Sequence, residues 1–82
     1  MMYLTKTQLL KAFKNGQLDE VAKQLRRYGK IVHDTSYEIE SGHYKGSHRD
    51  LNIIHHGFAW ELNLHNGEVK YVEYKLQFLT EI

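Results

Sequence analysis

Alternating apolar and polar residues from Leu51 to Phe78 predict three antiparallel strands joined by two tight turns. Asn66-Gly67 gives the clearest turn signal, because both residue types tolerate the positive φ angles of a two-residue type I′ hairpin. His56-Gly57 gives the second turn signal. Both turns place apolar residues opposite each other on one face, so this stretch is interpreted as a β-meander.

The turn lengths also predict the register of the meander. After Tyr71 the apolar residues change parity, and an unbroken register would set Trp60 against Glu73. We therefore predict a β-bulge near Tyr71-Val72, because one extra residue restores the apolar pairing. The predicted cross-strand pairs are Leu64 with Val69, Leu62 with Tyr71, Trp60 with Tyr74, Phe58 with Leu76, Ile53 with Trp60, and Leu51 with Leu62.

Two helices are predicted before the sheet. Thr5 as N-cap and Gln8 at N3 form a capping box, and Asn15-Gly16 ends the first helix. The second helix is predicted from about Gln17 to Tyr28, with Gly29 as its C′ residue. The inward-facing residues recur at helical spacing: Leu9, Leu10 and Phe13 in the first helix, and Leu18, Val21, Ala22, Leu25 and Tyr28 in the second. Residues 13–29 resemble the helical part of an ankyrin repeat, but no second repeat follows to form a solenoid.

Ile31 to Glu40 alternates and predicts a half-buried first strand with an acidic outer face. The inward residues of this strand are Ile31, His33, Thr35, Tyr37 and Ile39. The predicted fold is one α+β domain over residues 1–82, in which an N-terminal αα-hairpin packs on one face of a four-stranded antiparallel β-meander (ααββββ). The other face is open, and it is lined by Asn52, Ile54, Ala59, Glu61, Asn63, His65 and Lys70.

The composition narrows the possible classes of protein. A chain of 82 residues forms one small domain, and the absence of cysteine excludes disulfides and thiolate metal sites. No apolar run approaches membrane-spanning length, so we expect a cytoplasmic protein. The net charge of +1 conceals an uneven distribution. Residues 1–30 are basic, with seven Lys/Arg and two Asp/Glu, whereas residues 31–82 are acidic, with four Lys/Arg and eight Asp/Glu.

Six histidines raise the question of a metal site. His55 and His56 are adjacent, so in an extended strand they point to opposite faces and cannot share an ion. Glu61 and His65 share a face but lie roughly 13 Å apart along one strand. Because no paired metal-ligand spacing occurs, we expect no metal site and no cofactor.

The segment Lys45-Gly46-Ser47-His48-Arg49 is the sharpest catalytic candidate. Gly-Ser-His before an apolar strand resembles the signature of HicA-type ribonuclease toxins. That resemblance implies His48 as the general base acting on an RNA 2′-hydroxyl, with Lys45 and Arg49 holding phosphate. The order of two helices and a meander is also similar to RelE/ParE toxins, in topology alone. The alternative is a polar loop entering a strand, with Ser47 capping the turn.

Binding of nucleic acid without catalysis is a second alternative. Lys23, Arg27 and Lys30 recur at i, i+4 and i+7, and Lys11 and Lys14 lie nearby on the first helix. Such a basic stripe suits a phosphate backbone, although a solvated helix face has the same pattern. No recognition-helix pattern or RNA-binding aromatic motif accompanies it.

The sequence favours a non-enzymatic module that binds another macromolecule, and a protein is the expected partner. Its small size and lack of cysteine and proline are reminiscent of bacteriophage and mobile-element proteins that inhibit or adapt host machinery. We expect the open sheet face and the 41–50 loop to form the contact surface. Homodimerisation through the open sheet or an edge strand is a further expectation. The candidate partner-binding residues are Tyr44, Lys45, His48, Arg49, Glu61 and His65.

Overall fold

The computed structural model describes residues 3–76, with the backbone alone for Lys75 and Leu76. Four strands form one antiparallel sheet in the order β1-β2-β3-β4, and the two helices pack on one of its faces. This arrangement confirms the predicted ααββββ fold. Phe78, which the pattern includes in the last strand, lies outside the described residues. The elements are α1 (Lys6–Lys14), α2 (Leu18–Tyr28), β1 (Lys30–Ile39), β2 (Gly46–His55), β3 (Phe58–His65) and β4 (Glu68–Leu76).

The capping box at the start of α1 is confirmed. The Gln8 backbone N–H donates to Thr5 Oγ1 at 3.3 Å, and the Thr5 N–H donates to Gln8 Oε1 at 3.0 Å. Helix α1 ends at Lys14 with Asn15 as its C-cap. The helix pair is therefore delimited by local signals that the sequence displays.

Gly29 ends α2 for a different reason from the one predicted. Its backbone is extended, with φ −78° and ψ 166°, rather than left-handed. A Cβ at this position would overlap Cγ2 of Ile53 and lie 2.7 Å from the carbonyl oxygen of Leu25. Glycine is thus required here because the end of the helix passes so close to β2.

Both predicted hairpin turns are present. His56 and Gly57 have φ angles of 55° and 81°, and Asn66 and Gly67 have 53° and 86°, the combination that a type I′ turn needs. These turns fix which residues face each other in the sheet. Five predicted pairs are confirmed: Leu64 with Val69, Trp60 with Tyr74, Phe58 with Leu76, Ile53 with Trp60, and Leu51 with Leu62.

The β-bulge lies one residue earlier than predicted. Tyr71 pairs with Asn63 and Val69 with Leu64, so Lys70 is the extra residue of β4. Consequently Val72, not Tyr71, faces Leu62 in the core. The bulge next to the turn places Val72 in the core and Tyr71 on the open face, where the Tyr71 hydroxyl donates a hydrogen bond to Glu61.

The expectation that β1 is half-buried is wrong. Every residue of β1 is exposed except Ile39, which is half-buried. A bulge at Val32 separates the register of Ile31, opposite Ile53, from that of His33, opposite Asn52. The helices have nine and eleven residues, or roughly 14 and 17 Å, and they do not cover this strand.

The core lies between the helices and strands β2, β3 and β4. Phe13 of α1 packs edge-to-face on Trp60 and Tyr74, with ring centroids 5.9 and 5.1 Å away. Tyr28, predicted on the inward stripe of α2, is instead 42% exposed and packs against Tyr3. The buried apolar residues are Leu9, Ala12, Val21, Ala22, Leu25, Leu51, Ile53, Phe58, Trp60, Leu62, Leu64 and Val72.

Candidate functional site

The face of the sheet opposite the helices carries most of the candidate residues. Pairing across the strands places six of the seven predicted lining residues on it, with Lys70 in the bulge. The same pairing adds side chains that the pattern did not assign to this face: His33, Thr35, Tyr37, Ile39, His48, Asp50, Tyr71 and Glu73. The four residues of β1 were predicted to point inward, and the bulge at Val32 turns them to the open face. This surface is called the open face below.

Three rings form a stack across the open face, called here the ring row: Tyr37, His48 and His65. Tyr37 of β1 pairs with His48 of β2, which pairs with His65 of β3. The Tyr37 and His48 rings lie 5.1 Å apart at 6°, and the two imidazoles lie 4.4 Å apart at 7°. His48, between the other two rings, is only 6% exposed.

The ring row holds the preceding loop against the sheet. His48 Nε2 lies 2.7 Å from the carbonyl oxygen of Tyr44, and His65 Nε2 lies 2.9 Å from that of Lys45. Because a carbonyl oxygen only accepts, both Nε2 atoms carry the proton and donate it. The loop backbone is therefore fixed at two successive residues, while the Tyr44 side chain is 53% exposed.

A neighbouring turn supports the same loop from its base. Asn66 Oδ1 accepts a hydrogen bond from the Ser47 N–H at 2.9 Å, and the Asn66 N–H donates to the Ser47 carbonyl oxygen at 2.8 Å. Gly46 has φ +128°, and a Cβ there would lie 2.5 Å from the Asn66 amide oxygen. Lys70, in the β4 bulge, places its Nζ 4.2 Å from the Tyr44 ring centroid. Loop, turn and bulge thus form one surface.

Glu61 lies on the open face but apart from this surface. It is four residues from His65 along β3, roughly 13 Å. Its carboxylate accepts a hydrogen bond from the Tyr71 hydroxyl at 3.1 Å. Burial, followed by the neighbouring Asp50 and Glu73 carboxylates, raises the pKa of Glu61, and burial together with Glu61 raises the pKa of Tyr71 to about 12.

Arg49 does not contribute to the open face. The strand alternation turns its side chain to the helix side of the sheet, where it forms a two-point ion pair with Asp34 at 3.0 and 2.8 Å. The hydrogen bonds from Arg49 lower the pKa of Asp34. A shallow cleft of about 460 Å³ lies beside this ion pair, and it is lined by Arg26, Ser36, Tyr37, Glu38, Ser47, His48, Arg49, Leu64 and Gly67.

Ser47 has a different role from the turn cap that the sequence suggested. Its hydroxyl donates to Glu38 Oε2 at 2.6 Å, across the β1–β2 pair. The hydrogen bond therefore joins two strands at their loop end. His48, the next residue, points to the other face of the sheet because successive side chains alternate.

The basic helix residues are exposed, but they do not form one continuous stripe. Lys11, Lys14, Lys23 and Arg27 lie on the helix surfaces. Lys30 follows the end of α2 and belongs to β1, where it pairs with Ile54 on the sheet. The predicted i, i+4, i+7 stripe is thus interrupted, because the helix ends at Tyr28.

A buried polar contact connects the N-terminal segment, α2 and β2. Gln24 is fully buried, and its amide accepts from the Leu4 N–H at 3.0 Å and donates to the Leu4 carbonyl oxygen at 2.9 Å. Its Nε2 also lies 3.2 Å from His55 Nε2. Sequence reasoning missed this contact, although Gln24 follows Val21 by three residues and so borders the apolar stripe.

His55 is a neutral acceptor in this contact. Because the Gln24 amide nitrogen donates, His55 Nε2 accepts and its proton lies on Nδ1. Burial, and then the neighbouring His56, lower the pKa of His55. The two rings lie only 4.1 Å apart because His56 occupies the turn, with φ 55°, rather than an extended position.

No helix among residues 3–76 is both long and apolar enough to cross a membrane. Within that same range, no three His, Asp or Glu side chains converge as a metal-binding group. Comparison with protein-family models, with curated proteins and with solved structures gives no match.

Proposed function

We propose that this chain is a non-enzymatic protein-binding module that uses the open face and the loop of residues 40–45 between β1 and β2. The observation that carries the proposal is the fixation of the loop backbone by His48 and His65. Fixing a loop before binding lowers the conformational entropy that is lost when a partner orders it. The histidines therefore act as positioning residues, and Tyr44 and Lys45 supply the contact.

The displayed side chains suit contact with a folded protein. Tyr44 and Tyr37 are 53% and 45% exposed, and tyrosine provides a large rigid contact area together with a polar hydroxyl. Lys70 and Lys45 flank Tyr44 with positive charge. A partner that offers an apolar pocket rimmed by carboxylates complements this surface. A small domain acting by contact alone fits an inhibitor or adaptor of a larger host protein.

The environment of His48 supports a positioning role over a catalytic one. The ring is stacked between two others, and its Nε2 donates to a backbone carbonyl. A general base must reach the proton that it removes. The other two residues implied by the HicA resemblance also lie apart, with Lys45 in the loop over the open face and Arg49 on the helix side.

The test is capture of proteins from a bacterial lysate by the tagged chain, with and without nuclease. We expect a protein that survives nuclease and is retained by Tyr28→Ala but lost with Tyr44→Ala. Tyr28 is the matched control, because it is a tyrosine of similar exposure on the helix side. Loss with Lys23→Ala but not with Tyr44→Ala, or recovery of nucleic acid alone, would contradict the proposal.

A second assay addresses the ribonuclease alternative directly. Purified protein is incubated with RNA, and we expect the RNA to remain intact. Cleavage by the unaltered chain that His48→Ala abolishes would replace the binding proposal with a catalytic one. Circular dichroism of His48→Ala verifies that the sheet is retained.

A further inference from the structure

Strand β1 is an outer strand whose second edge is free among the described residues. With ten residues it is as long as β2 and longer than β3 and β4, and it pairs with β2 alone. Three of its apolar side chains are exposed: Ile31 at 43%, Val32 at 52% and Tyr37 at 45%. Edge strands are normally protected by lysine, proline, short length or a bulge. In β1, Lys30 and the bulge at Val32 protect only the start.

The sequence of β1 suits pairing with another copy of itself. We infer that β1 pairs antiparallel with β1 of a second copy, with Thr35 facing Thr35, and extends the sheet to eight strands. A twofold axis between two antiparallel edges stands perpendicular to the sheet. Paired residues must then point to the same face, so one residue of each strand faces its own counterpart on the axis. The charged pairs that each register brings together decide which residue lies on the axis.

Like charges directly opposite each other destabilise a strand pair. An axis at Asp34 sets Asp34 against itself, and an axis at Ser36 sets Asp34 against Glu38. An axis at Tyr37 pairs only residues 35–39, because β1 ends at Ile39. An axis at His33 leads directly into the bulge at Val32. The axis at Thr35 avoids all these conflicts, and beyond the central pair it gives Asp34 opposite Ser36 and His33 opposite Tyr37.

The pairs on this register are favourable on both faces of the sheet. On the helix side, the Ser36 hydroxyl of one copy meets Asp34 of the other, whose charge Arg49 already balances. On the open face, His33 of the second copy comes beside Tyr37 and extends the ring row. Cross-strand aromatic and hydrogen-bonding pairs of this kind stabilise a sheet.

Single cysteine variants test the register, because the chain has no cysteine of its own. Opposed residues in an antiparallel pair have Cα atoms roughly 4.5–5.5 Å apart, within the span of a disulfide. We expect Thr35→Cys to form a covalent dimer under mild oxidation. In the matched variant Ser36→Cys the new thiol faces Asp34 of the other copy, so this variant is expected to associate without forming the covalent cross-link. Equal cross-linking of both variants, or of neither, would overturn the register.

The mass in solution tests the association itself. In sedimentation over a concentration series, we expect the unaltered chain to approach twice its 9.7 kDa mass. Thr35→Lys sets two ammonium groups against each other across the axis, while Asp50 beside it in the same sheet accommodates the new charge. That variant is expected to be folded by circular dichroism and monomeric. A monomeric unaltered chain at every concentration, or an equally dimeric Thr35→Lys, would refute the inference.

Discussion

Ile31 and Ile53 face each other across the β1–β2 pair, yet their surroundings are opposite. Ile53 is fully buried beneath the end of α2, whereas Ile31 is 43% exposed. Both residues lie in runs that alternate apolar and polar residues. The alternation identified two strands correctly, but only one of them has a helix packed against it. Alternation therefore predicts that a face is suited to burial, and the reach of the helices determines whether it is buried.

The largest effect is expected from truncating this pair of isoleucines separately. Ile53→Ala leaves a cavity in a closed core and should lower the free energy of unfolding by roughly 2–5 kcal/mol. Ile31→Ala should lower it by about 0.5 kcal/mol or less, since its side chain already contacts water. Urea denaturation at a concentration where the chain is monomeric measures both values. Equal losses would mean that β1 is covered in solution.

The next largest effect concerns the closest approach of α2 to β2. Gly29→Ala introduces a Cβ that overlaps Ile53, and such overpacking should lower the free energy of unfolding by about 1–3 kcal/mol. Gly16→Ala is the control, because a Cβ there meets no atom within 4 Å and only its φ of +77° is unfavourable. Thermal and urea denaturation compare the two variants. Because the backbone of Gly29 is extended and suits alanine, a loss in Gly29→Ala reports the overlap with Ile53, and an unchanged stability would contradict this account.

A smaller effect is expected from pH, through His55 at the covered end of β2. The folded chain lowers the pKa of His55 below its ordinary value of 6.5. In the window from 6.5 down to the lowered pKa, the unfolded chain binds more protons, so stability falls as the pH falls. Protonation also removes a hydrogen bond: His55 Nε2, which accepts from the Gln24 amide in the neutral ring, becomes a donor.

Denaturation midpoints between pH 8 and pH 5 measure this dependence. His55→Asn should flatten the decline below pH 6.5, because the variant has no titrating group at this site. His33→Asn, on exposed β1, is the matched control and should keep the decline. An unchanged decline in His55→Asn would assign the pH effect to other groups.

The smallest effect on stability is expected at the loop that we propose as the contact surface. Tyr44→Ala removes an exposed ring and should change the free energy of unfolding by less than about 0.5 kcal/mol. The hydrogen bond that the His48 ring donates to the backbone carbonyl oxygen of residue 44 does not involve the Tyr44 side chain and should be retained in the variant. Urea denaturation verifies this, so that a loss of partner capture by Tyr44→Ala reports contact and not unfolding. A large loss of stability would instead make Tyr44 part of the fold.

Much of the fold was predictable because its signals are local. The capping residues Thr5 and Gln8 and the turn at Asn66-Gly67 act through neighbouring atoms and need no distant contact. The turn lengths then set the cross-strand pairs by counting. The bulge was misplaced by one residue because parity alone does not say which residue is extra, and that choice depends on how Val72 and Tyr71 are surrounded.

The candidate surface was only partly predictable. Alternation placed Glu61 and His65 on the open face, but it gave no reason to associate His48 with Tyr37 or with the loop backbone. Arg49 was chosen for its place beside His48, and strand alternation puts it on the other side. A motif identified along the chain groups neighbouring residues, whereas a strand places those neighbours on opposite faces of the sheet.

By itself, the sequence determined the order of helices and strands, the two hairpin turns and five of the six predicted core pairs, since each follows from local backbone preferences or from counting across a turn. The tertiary structure decided which strand the helices leave uncovered, that Gly29 serves close packing, and that Gln24 and His55 are buried partners. It also brought His48 and His65 together beneath the loop. These features depend on helix reach and on atoms distant in sequence, and only the folded chain places those atoms in contact.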